Sequence, residues 1–71
     1  MRSYEIQLLK GGKWEVDSYF DDRDSAVSDA DQLAANLQVQ GVRVLEEKYD
    51  IESNIATCDV TYSKAQQKWT G

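Results

Sequence analysis

The chain has 71 residues and a formal net charge of −5, with no histidine, no proline and a single cysteine, Cys58. That length makes one domain that buries only roughly 60% of its unfolded surface, so its core is thin. An internal disulfide, an imidazole metal site, a histidine-based triad and a cysteine-rich zinc site are all excluded by composition. The expected cofactor complement is therefore none, and a small unstapled core of this kind gains stability by dimerising or by docking on a larger protein.

Charge is distributed unevenly. Between Glu15 and Asp31, Glu15, Asp17, Asp21, Asp22, Asp24, Asp29 and Asp31 stand against Arg23 alone, a local charge of −6. The rest of the chain is close to neutral. This balance disfavours direct contact with nucleic acid or an anionic membrane, which carry like charge, and suits a protein partner or self-association. No apolar run reaches the ~20 residues of a membrane helix, and the first ten residues lack the apolar core of a secretory signal. With one unpaired cysteine, the expected setting is cytoplasmic.

Residues 3–10 alternate at period two, with Tyr4, Ile6 and Leu8 on one face, and 13–20 alternate with Trp14, Val16 and Phe20 on one face. Gly11 and Gly12 mark a hairpin. A two-residue Gly-Gly turn would set Leu8 against Glu15, whereas a shift of one sets it against Trp14. Matching of apolar faces favours a three-residue loop, Lys10-Gly11-Gly12, with a bulge at Gly12.

A helix follows. Asp21 or Asp22 is a good N-cap, and further acids suit the positive end of the helix dipole. Ala26, Val27, Ala30, Leu33, Ala34 and Leu37 form one apolar stripe, and Gly41 is the expected stop. Two more strands are expected at 42–49 and 55–62, joined by the turn-forming run 50–54. Matching their apolar faces pairs Val44 with Val60 and Val42 with Tyr62. Ala56, Cys58, Val60 and Tyr62 then share the core face, and the hairpin tip projects past the helix. Residues 63–71 form a polar tail containing Trp69.

The predicted fold is thus α+β, a β-β-α-β-β domain over 1–62 with one helix on one face of a four-stranded antiparallel sheet. The favoured spatial order is 2-1-3-4.

The run Gly12-Lys13-Trp14 to Asp17-Ser18-Tyr19-Phe20-Asp21-Asp22, with Ala26, Ala30, Leu33 and Val42-Arg43-Val44-Leu45-Glu46-Glu47-Lys48-Tyr49, resembles a group of short proteobacterial proteins without assigned activity. The resemblance spans residues 4–57 and implies no functional residue. Through Tyr4-Glu5-Ile6-Gln7, Ala26, Leu33 and Gly41 the chain is also similar to the sporulation-related repeat, which implies glycan binding.

No residue set composes an active site, so a non-enzymatic role is expected. Gly11-Gly12-Lys13 precedes a strand rather than a helix and is a turn, not a phosphate loop. Asp21, Asp22, Asp24, Asp29 and Asp31 lack the calcium-loop spacing and read as a solvated acidic face. Glu46 and Glu47, adjacent on a strand, point to opposite faces, and Cys58 reads as a small core residue with Glu46 nearby. The uncovered face of the sheet, expected to carry Leu9, Tyr19, Leu45, Tyr49 and Ile55, is the leading candidate contact surface. The acidic run offers a second reading, a decoy for a nucleic-acid-binding protein.

Overall fold

The computed structural model describes residues 2–36 and 38–65. Leu37, expected on the helix stripe, and Trp69, expected in the tail, lie outside the described residues. Strands β1 (Arg2–Lys10), β2 (Lys13–Phe20), β3 (Gly41–Asp50) and β4 (Ile55–Ala65) and the helix α1 (Arg23–Ala34) follow in the expected order. The sheet is antiparallel throughout, in spatial order β2-β1-β3-β4. β4 runs to Ala65, three residues past its expected end.

Burial concentrates where α1 crosses the two central strands. Tyr4, Ile6 and Leu8 of β1 and Val42 and Val44 of β3 face Ala26, Ala30 and Ala34, one turn apart on α1, with Val39 from the following loop. The alanines carry little bulk, so the helix backbone lies close to the sheet. Phe20, Leu33 and Tyr62 close the margins of this core.

The N-cap of α1 is Asp22, whose carboxylate accepts from the Ser25 amide at 2.9 Å and the Ser25 hydroxyl at 3.0 Å. The helix stops at Ala34, well before Gly41, the expected stop. Asn36 accounts for this: its side-chain oxygen accepts from the Gln38 amide at 2.9 Å, and its carbonyl from the Val39 amide at 3.1 Å. That turn diverts the backbone from the helical path and drops Val39 into the core. Gly41 instead opens β3.

The first hairpin differs from expectation in register. Gly11 (φ +57°) and Gly12 (φ +79°) both take left-handed conformations, and Lys10 pairs with Lys13. The loop is the tight two-residue turn that paired left-handed glycines favour, not three residues with a bulge at Gly12. The register is shifted farther along instead. An extra residue, Asp17, lies between Val16, which pairs with Gln7, and Ser18, which pairs with Ile6. Leu8 therefore opposes Glu15 and Leu9 opposes Trp14. Trp14 and Val16 stand on the face away from the helix, and past the bulge Ser18 and Phe20 return to the core side.

The second hairpin repeats the pattern. Val44 pairs with Tyr62 and Leu45 with Val60, leaving Thr61 as the extra residue. The expected pairs Val44–Val60 and Val42–Tyr62 do not form. Tyr62 faces the core, while Ala56, Cys58 and Val60 face away. Arg23, at the start of α1, holds this bulge: its Nε donates to Thr61 Oγ1 at 2.8 Å and its Nη2 to the Thr61 carbonyl at 3.1 Å. Asp31 accepts from the Tyr62 hydroxyl at 3.0 Å and lies 3.3 Å from the Lys64 ammonium.

Beyond the helix, the β3–β4 hairpin projects as an arm, and every residue from Lys48 to Val60 is exposed. Asn54 closes its tip at φ +57°. At its base, the Tyr4 hydroxyl donates to Glu46 Oε2 at 2.9 Å and Lys48 lies 3.3 Å from the same carboxylate.

Two outcomes follow from this packing. Ile6→Ala, which empties a fully buried position, is expected to cost about 2–5 kcal/mol, measured by urea unfolding. That is much of the stability of a domain this small. The Tyr4 hydroxyl, and after it Lys48 and Arg2, hold the Glu46 carboxyl below its ordinary value. A depressed folded value stabilises above the unfolded one and is lost as pH falls through the folded one. Tyr4→Phe is therefore expected to flatten the acid limb of the melting-temperature profile and to lower stability above it.

Candidate functional site

The face of the sheet away from α1 is uncovered among the described residues. Register places its side chains in cross-strand rows: Trp14, Leu9, Gly41 and Ala65; Val16, Gln7, Arg43 and Ser63; Tyr19, Glu5, Leu45 and Val60; then Ser3, Glu47 and Cys58; then Tyr49 and Ala56. Leu9, Tyr19, Leu45 and Tyr49 thus lie together on this face as expected. Ile55 does not. It pairs with Asp50, in phase with Val44 and Glu46, and stands on the helix side of the sheet out on the arm.

The two bulges add apolar residues that strict alternation had assigned to the core. Trp14 is 40% exposed, Val16 51% and Val60 53%. Cys58 is exposed here too rather than a core residue, and its partner across the strands is Glu47, not Glu46. The signal for Trp14 was the Gly-Gly turn itself, which taken at its preferred length sets Trp14 beside Leu9.

Through the middle of the face runs a polar ladder. The Arg43 guanidinium lies 4.0 Å from the centre of the Trp14 ring, and its Nε donates to Gln7 Oε1 at 2.7 Å. Gln7 Nε2 in turn donates to Glu5 Oε2. Glu5, only 9% exposed, is flanked across the strands by Tyr19 and Leu45. Its negative charge raises the Tyr19 phenol above the ordinary value, with partial desolvation adding to the effect. The ladder fixes three long side chains on a surface where they would otherwise be free. The Trp14–Arg43 stack is the sort of contact worth ~0.5–1 kcal/mol at an exposed site.

The acidic residues are dispersed by comparison. Asp22 caps its own helix and Asp31 turns toward Tyr62 and Lys64, whose hydrogen bonds, Tyr62 first, hold its carboxyl low. Asp21 and Asp24 are exposed and Asp29 is half-buried. Among the described residues, no three His, Cys, Asp or Glu side chains gather as a metal site would require. No described helix is long and apolar enough to cross a membrane.

No family model, curated protein or solved structure matches this chain.

Cys58 reports on the electrostatics of the face. Partial desolvation, then the negative charges of Glu47, Glu5 and Asp59, push its thiol above the ordinary value. Less thiolate is present at any given pH, so alkylation by iodoacetamide should run slower than for a free cysteine, with its pH midpoint displaced upward. Glu47→Gln should move that midpoint back down, measured as rate against pH.

Proposed function

We propose that this chain is a small non-enzymatic protein–protein interaction module whose contact surface is the open face of the sheet. The observation that carries the reading is the Trp14–Arg43 stack, set among Leu9, Val16, Tyr19, Leu45, Tyr49 and Val60. Tryptophan, tyrosine and arginine dominate binding energy at protein interfaces. Here they are held in place before any partner arrives, which reduces the ordering cost of association. The single cysteine, left as a thiol, fits a cytoplasmic setting.

The acidic run supports a decoy for a nucleic-acid-binding protein less well. A phosphate mimic needs free carboxylates in a common plane, and Asp22 and Asp31 are engaged by Ser25, Tyr62 and Lys64.

Trp14→Ser and Tyr19→Ser are the test. Each is expected to shift stability by less than about 1 kcal/mol, so folding survives. Retention of partner proteins from an extract of the native source on the immobilised chain is expected to fall sharply for both variants. Retention unchanged by both substitutions, with melting curves intact, would remove the open face as the contact surface.

A further inference from the structure

The two edges of the sheet are unlike. On β2, Lys13, Glu15 and Asp17 place charges along the strand and the bulge at Asp17 breaks its line. Charges and bulges are the means by which edge strands resist pairing with another chain. On β4, Ile55 to Val60 pairs with β3 without interruption, is exposed at every residue and carries one charge, Asp59. Neither lysine nor bulge interrupts it until Thr61, and the side-chain hydrogen bonds from α1 meet β4 farther along, at Thr61, Tyr62 and Lys64. The acidic stretch from Glu15 to Asp31 belongs to β2 and α1, whereas the charges of β4, Asp59 and Lys64, cancel. Two copies approaching through β4 therefore keep their strongest like charges apart.

We propose that the Ile55–Val60 edge of β4 pairs antiparallel with the same edge of a second copy, in the register centred on Cys58. This rests on the reading of the domain as an interaction module and names its partner. Side chains directly opposite in an antiparallel pair share a face, so the two-fold axis must pass through a residue and not between two. Centring on Asp59 sets two carboxylates against each other. Centring on Thr57 sets Ile55 against the partner's Asp59. Centring on Cys58 sets Ala56 against the partner's Val60 and Thr57 against the partner's Asp59, an apolar pair and a hydroxyl–carboxylate pair. The two Cys58 residues then stand opposite one another, and the apolar rows of both open faces become continuous.

A seam this short falls below the ~1,000 Å² of a stable interface, so a reversible dimer, about micromolar or weaker, is expected. Sedimentation equilibrium of the full chain in reductant should show it. Cys58→Lys places two ammonium groups opposite each other, while each also faces Glu47 within its own chain. It should weaken the dimer about tenfold or more, with the melting curve unchanged at dilutions where the wild type is monomeric. Tyr19→Ser should leave the dimer as it is. Opposed residues sit at Cα separations of about 4.5–5.5 Å, within disulfide reach. Mild oxidation should therefore join wild-type copies through Cys58 readily, but scarcely join the Ala56→Cys, Cys58→Ser double variant.

A chain that stays monomeric overturns the proposal. So does a dimer indifferent to Cys58→Lys, or equal cross-linking of the double variant. If Trp14→Ser or Tyr19→Ser dissolves the dimer instead, the edge pairing falls and the open-face reading stands. If Cys58→Lys alone dissolves it and the face variants keep every partner, the open-face reading falls and the edge pairing stands.

Discussion

The fold is governed by a shortage of helix. Twelve residues of α1 extend about 18 Å, while the ten residues of β3 extend about 33 Å. One helix therefore covers the central strands over part of their length and only one of their two faces. The core gathers under it, from Ile6, Leu8, Val42 and Val44 to the three alanines of α1. Among the described residues, nothing beyond that footprint covers the arm or the far face.

The bulges in β2 and β4 follow from the same limit. Near the helix an edge strand must turn Phe20 or Tyr62 inward to seal the core. Away from it, nothing on the helix side rewards an apolar residue. An extra residue at Asp17 or Thr61 lets one strand satisfy both demands, and it sends Trp14, Val16, Cys58 and Val60 to the opposite face.

Much of this was legible in the amino-acid order. Alternation located the four strands, the aspartates located the helix start, and the alanine spacing located its buried stripe. Alternation also placed Leu9, Leu45 and Tyr49 correctly, because β1 and β3 are central strands whose neighbours on both sides hold them in phase, and Tyr19 because it lies on the Phe20 side of the bulge in β2. It failed for Trp14, Val16, Val60, Cys58 and Ile55, all on edge strands, where one inserted residue reverses every side chain on one side of it. The helix end was missed for a similar reason. Gly41 is a plausible stop, but the side-chain turn at Asn36 ends the helix first, and such turns leave little mark on hydrophobic periodicity.

The fork that Arg23 makes with Thr61 divides β4 mechanically. From Thr61 to Lys64 the strand is fastened both to β3 and, through Arg23 and Asp31, to the helix. From Ile55 to Val60 the described restraint is the ladder to β3. A pull on the hairpin tip would unzip the arm pair by pair with little resistance and then stall at Thr61, where the load passes to α1. The domain thus has a compliant end and a stiff end, and the boundary between them is a single threonine.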